Sequence, residues 1–192
     1  MLLVTWLHLR ALSGLDPAKT YDPVTGVAET ATLDILLSSV ALLQLVIWVI
    51  AAFLVLKWIY RTKLNAHELA TGLQTSPGWA VGWFFVPVVS LWMPFESLRE
   101  TWKASHDPAS WPGLKTPALL YGWWALWILS SVIGLAALPA TLQADTVREL
   151  HTLDVVAMVT YPLNIVVNLM FAQIVRRLSE AQTHALSARA FA

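Results

Sequence analysis

The sequence contains no cysteine, which excludes disulfide scaffolds, thiolate metal sites and cysteine nucleophiles. Charge is almost as scarce: Asp, Glu, Lys and Arg make up 12% of 192 residues, about half of what soluble domains carry. Neither sign is in excess, with 12 basic residues against 12 acidic, so the electrostatic footprint of a nucleic-acid binder is missing. Patterns that carry chemistry are missing too: there is no Walker loop, no glycine-rich dinucleotide turn and no HExxH. The five histidines (His8, His67, His106, His151, His184) are scattered, with no pair at i, i+4. His151 and Asp154 share a short connection, but no nucleophile stands beside them. The connections are too short for a separate catalytic domain. We therefore assign no catalytic residue, metal ligand or cofactor. An interfacial grouping of Arg99, Glu100, His106 and Asp107 is what remains for a membrane enzyme.

What the chain has in abundance is apolar surface. Its residues are 57% hydrophobic and its mean hydropathy is +0.62, too much for one soluble core of this size. Residues 35–56 run without a charge. As a helix they cover about 33 Å, enough for a hydrocarbon layer of about 30 Å. Lys57, Trp58, Tyr60, Arg61 and Lys63 follow as a basic and aromatic collar, the mark of a cytoplasmic exit. Residues 117–139, between Pro117 and Pro139, and 155–175, ended by Arg176 and Arg177, form two further spans. The expected class is an all-α, polytopic membrane helical bundle. It divides into an N-terminal interfacial segment and polar loop (1–34), a membrane domain (35–178) and a polar tail (179–192) expected to fray.

Residues 79–95 are apolar but interrupted by Pro87 and Pro94. Pro87 removes a backbone donor and crowds the carbonyl four residues back, so a helix kinks or breaks there. Two readings stand: a short, kinked fourth span, or a re-entrant hairpin that enters and leaves on one face. On the re-entrant reading Lys57, Arg61, Lys63, Arg99, Lys103, Lys115, Arg176, Arg177 and Arg189 share one side, facing Arg10, Lys19 and Arg148. The four-span reading moves residues across but also keeps a basic side, so the positive-inside rule accepts both. Leu2–Leu9 precedes Arg10, the reverse of an export signal. Trp6, His8 and Arg10 read as a short interfacial piece.

Eight of the 11 tryptophans (Trp79, Trp83, Trp92, Trp102, Trp111, Trp123, Trp124, Trp127) lie between residues 79 and 127. Such rings favour the bilayer interface, apolar in body and wet at the N–H. Just past Pro94, Phe95, Leu98 and Trp102 share one helical face, while Glu96, Arg99, Glu100 and Lys103 occupy the rest. That is an amphipathic helix suited to the interface, with pairs open to Glu96–Arg99 and Glu100–Lys103. The candidate partner- or lipid-contact residues are Arg61, Trp79, Trp83, Pro87, Trp92, Pro94, Arg99, Glu100, Trp102 and Lys103; a solvated helix face is the plainer account of the charged ones. Gly78 and Gly82 have GxxxG spacing, as Ser130 and Gly134 have small-xxx-small spacing. Either serves packing within the chain or a homo-oligomer. Gln44, Asn164 and Asn168 are the candidate intramembrane polar residues, for interhelical hydrogen bonds or a polar path.

Tyr60-Arg61, Asn65 and the run Ser76-Pro77-Gly78-Trp79-Ala80-Val81-Gly82-Trp83-Phe84-Phe85-Val86-Pro87 resemble a bacterial membrane-protein family, domain of unknown function 4328. Leu91-Trp92-Met93-Pro94-Phe95, Leu98 to Ser105 and Trp123-Trp124-Ala125-Leu126-Trp127 extend the likeness over about residues 35–178. The resemblance implies a multi-pass protein of the bacterial inner membrane and carries no activity across. Two positions depart from the pattern. Members have a complete hydrophobic helix upstream of 35–56, where this chain has only Leu2–Leu15, so the helix is truncated or lost. Ser90 stands where Asn is expected. The function expected is a non-enzymatic accessory or scaffold protein whose 76–105 unit contacts lipid headgroups or a protein partner. The alternative is a small transporter or channel-forming subunit built around 79–95.

Overall fold

The computed structural model describes residues 5–6, 28–143 and 146–190. Most of the expected N-terminal interfacial segment and loop lies outside them. Helix α1 runs Ala28–Leu69, α2 Pro77–Gly82, α3 Met93–His106, α4 Ala118–Gln143 and α5 Val147–Ala190. Three helices are long and apolar enough to cross a membrane: Ser38–Leu69, Ala118–Thr141 and Val147–Arg189. Each outruns the apolar stretch that marks it. Pro139 and Pro162 sit inside α4 and α5 without ending them, and α5 continues through residues 179–190, where the sequence suggested fraying. The reason is burial: Ile174, Leu178 and Gln182, at i, i+4 and i+8, lie on one covered stripe.

Two compact units share these helices, Met1–Val49 with Leu126–Val167, and Ile50–Ala125 with Asn168–Ala192. In the first, residues 41–49 of α1 are all exposed, as befits side chains whose solvent is lipid. There Asn164 of α5 accepts a hydrogen bond from Ser130 Oγ of α4 at 2.7 Å and donates to the Thr160 carbonyl at 3.0 Å.

The second unit holds the larger core. Phe171 meets Trp58 edge-on at 5.8 Å and stacks on Trp123 at 5.1 Å. Trp124 packs on Phe95 at 5.8 Å, and Phe95 meets Tyr121 at 5.3 Å. This aromatic chain ties α1, α5, α4 and α3. Trp124 also donates its indole N–H to the Leu91 carbonyl at 3.1 Å.

Between α1 and α3 the chain is broken where the prolines said it would be. Ser76 caps α2, accepting from the Trp79 amide at 3.4 Å, and Pro77 occupies the first turn, where its missing N–H is harmless. A 3₁₀ turn follows over Trp83–Phe85 and another over Val89–Leu91. Between them the Val89 amide bonds the Pro87 carbonyl at 2.7 Å, and Val88 has φ 66° and ψ −52°. That is a γ-turn at positive φ, a strained conformation for a β-branched residue.

Ile174 is fully buried and Ile165, on the same helix, is 53% exposed. Ile174→Ala should therefore cost the detergent-solubilised chain about 2–5 kcal/mol in unfolding free energy. Ile165→Ala should stay within about 0.5 kcal/mol.

Candidate functional site

The site begins with two helical stripes. On α1 the buried residues are Thr62, Lys63, Ala66 and, just past its end, Ala70; on α3 they include Ser97, Glu100, Thr101, Ala104 and Ser105. Both follow the 3.6-residue period, and the small side chains let the backbones approach. Thr101 and Ser105 satisfy their hydroxyls on the carbonyls one turn back, Ser97 at 2.8 Å and Thr101 at 2.7 Å. Ala66, Ala70 and Ala104 form a small apolar cluster flanked by Leu73 and Trp111.

Into this seam α1 projects Lys63, fully buried, and α3 answers with Glu100, 9% exposed. The two form an ion pair. The carboxylate also accepts from the backbone amide of Gln74 and from that of Thr75 at 3.3 Å. A buried charge is tolerated when it is paired and its remaining lone pairs are filled, and Glu100 meets both conditions. The Glu100–Lys103 pair suggested by spacing is thus replaced by a long-range one, because Glu100 faces the seam. The other suggested pair, Glu96–Arg99, forms on the half-exposed side of α3. The Thr75 carbonyl is held by His67 Nε2 at 2.9 Å.

Gln182 of α5 closes a second polar junction. Its amide donates to the Thr62 carbonyl at 2.7 Å and to Ser105 Oγ at 2.9 Å, and its oxygen accepts from Asn65 at 3.0 Å. Trp58 donates to Ser179 Oγ at 3.2 Å. One amide therefore joins α1, α3 and α5.

Beside the ion pair lies a groove of about 320 Å³, lined among others by Gln74, Thr75, Met93, Arg99, Lys103 and Trp111. It brings Arg99, Glu100 and Lys103 together. The other predicted residues lie elsewhere. Arg61 is exposed on α1 and does not line the groove. Trp79, 53% exposed, stacks on half-buried Trp83 at 4.4 Å, whose indole N–H is buried without an acceptor among the described residues. A Cβ on Gly82 would come within 3.1 Å of the Trp79 ring, while Gly78 faces open space; the close approach at Gly82 is within this segment. Pro87 is exposed at the turn, Trp92 is 47% exposed just before α3, and Pro94 is buried in its first turn. Phe95 and Trp102 are buried at 7% and 6% exposure, and Trp102 stacks on His106 at 4.3 Å. Gln44 and Asn164 belong to the first unit and Asn168 to the second, all three exposed.

Sequence reasoning missed Lys63 and Gln182 as structural partners. Gln182 had a signal, since it continues the Ile174–Leu178 stripe. Lys63 had none, its partner being 37 residues away. Among the described residues, no three of His, Asp and Glu converge as a metal ion would require. The model of a protein family described as a domain of unknown function (DUF4328) matches residues 23–180. No curated protein and no solved structure matches the chain.

Glu100→Gln leaves Lys63 charged and buried without its counter-ion, and should destabilise the chain by about 3–5 kcal/mol. Lys63→Met combined with Glu100→Gln should recover a large part of that loss. A double-mutant cycle by chemical unfolding in detergent measures both, and additive effects would show that the pair is not coupled.

Proposed function

The chain belongs to the DUF4328 family, which assigns no activity, and we propose that it is a non-enzymatic accessory or scaffold protein of the bacterial cell membrane. In this reading the 76–105 unit is a fixed, tryptophan-rich platform that enters the membrane surface and leaves on the same face. The observation that carries it is an outward apolar row held at both ends. Trp79, Phe85, Val88, Leu91 and Trp92 are 47–71% exposed, on a segment whose start is tied to Glu100 through Thr75. Its end, Met93, lies only seven residues before Glu100 on α3, about 10 Å along the helix, and lines the same groove as Thr75. A crossing would need the two ends about 30 Å apart. That supports the re-entrant reading over a fourth span, with Lys57, Lys63, Arg99, Lys103 and Arg176 on the cytoplasmic side.

The second reading, a small transporter or channel-forming subunit, draws on a space of about 360 Å³ between α4 and α5, lined by Ser130, Asp154, Thr160 and Asn164 among others. It predicts that a cysteine at Asn164 reacts with aqueous thiol reagents.

The native chain has no cysteine, so single labels are clean. Ser76→Cys and Asp107→Cys should react with an impermeant thiol reagent from the same side of the membrane. Phe85→Cys carrying an environment-sensitive fluorophore should emit to the blue and be quenched by spin-labelled lipid. Opposite-side labelling of Ser76→Cys and Asp107→Cys, or a water-like spectrum at residue 85, would sink the platform.

A further inference from the structure

We propose that the groove beside the Lys63–Glu100 junction binds the phosphate of an anionic membrane lipid. The inference rests on the platform reading for its place at the membrane surface and adds the ligand that this reading leaves open.

Among the described residues, the groove has one cation without an ion pair. Glu100 is neutralised by Lys63 and by two backbone amides. Glu96 and Arg99 offset each other, with side chains 40% and 35% exposed, open enough for Arg99 to exchange partners. Lys103, half-buried on the groove wall, has no ion pair among the described residues. It stands one turn beyond Arg99, on the same face of α3. The groove is thus net positive, with an ammonium as a point charge and a guanidinium fork beside it, the pairing that suits a phosphate.

Part of the wall is apolar, made by Met93, Trp111 and Pro112. Trp111 commits its indole N–H to the Thr71 carbonyl at 3.0 Å, so the ring offers the groove apolar surface. A soluble anion has no use for that wall, whereas a lipid would lay its glycerol and first methylenes along it. The depth agrees. Lys63 lies seven residues beyond Leu56, the last of the charge-free run, or about 10 Å along α1. The headgroup layer is roughly 5–8 Å thick on each side of the hydrocarbon, so the junction lies a few ångströms outside that layer, at the membrane surface. At about 320 Å³ the groove fits a headgroup better than a peptide, near the lower bound of roughly 300 Å³ for ligand pockets.

The test uses the purified full chain in detergent and three probes: dioctanoyl phosphatidylglycerol, dioctanoyl phosphatidylcholine and glycerol phosphate. Retention is read by native mass spectrometry. The expected preference for the anionic over the zwitterionic lipid is about fivefold, the worth of one cation near a membrane surface. Lys103→Gln should abolish the preference. Glu96→Gln should increase it, because it releases Arg99, and a merely structural role for Glu96 would not give a gain. Arg177→Gln, an exposed cation on α5, should change nothing. If Lys103→Gln fails to fold, the gain in Glu96→Gln still decides. Equal retention of the two lipids, or no gain with Glu96→Gln, would overturn the proposal. Glycerol phosphate retained as well as phosphatidylglycerol would overturn the lipid as its source. The platform fails separately, through the probe at residue 85, so the two losses cannot be confused.

Discussion

The ion pair of Lys63 and Glu100 is the constraint around which the second unit is arranged. Bringing two charges out of water is expensive, and their attraction alone rarely repays it. Here the carboxylate also takes the amides of Gln74 and Thr75, so the loop between α1 and α2 is folded into the same compensation. Loop, α1 and α3 must therefore be in place together. A hydrophobic pair of equal volume would hold the helices equally well, but it would not fix the loop. The charge supplies position more than stability, and what it positions is the start of the tryptophan-rich segment.

This arrangement follows from the two solvents the chain meets. Where lipid surrounds a helix, apolar side chains face outward and there is no hydrophobic drive to bring helices together. The exposed residues 41–50 of α1 illustrate it. Cohesion must come from elsewhere, and in the second unit it comes from polar junctions and rings. Gln182 bonds α1 and α3 at once, and the aromatic chain through Phe171, Trp123, Trp124 and Phe95 links the rest. Residues such as Ala66 and Ala104, fully buried, let the backbones come close enough for these bonds to form.

The spans were legible because hydrocarbon thickness is a physical ruler, and three long apolar runs match it. The break was legible from Pro87, and the start of α2 from Ser76-Pro77. Helix ends were not legible. Composition marks where lipid stops, whereas a helix goes on as long as its stripe finds a partner, as α5 does through Leu178 and Gln182. The charged face of α3 misled for a related reason. Periodicity says which residues share a face, but not which face is covered. Glu100 and Arg99 are neighbours in sequence, yet one is sealed in the seam and the other is half-exposed beside the groove. Only the fold, which sets Lys63 opposite Glu100, separates them.

Val88 bears on how the platform would meet the membrane. A β-branched residue at positive φ costs on the order of 1–3 kcal/mol, and glycine would relieve it. Glycine would also remove the side chain that, with Phe85, makes the turn apolar; the two are 67% and 71% exposed. In water that exchange favours glycine, since exposed valine gains nothing there. In lipid it reverses, because burying a valine side chain is worth about 1.5–3 kcal/mol, enough to offset the strain. A strained valine at an exposed turn therefore makes energetic sense where the turn is immersed in hydrocarbon. The argument is independent of the ties at Thr75 and Glu100 and favours the placement proposed for the segment.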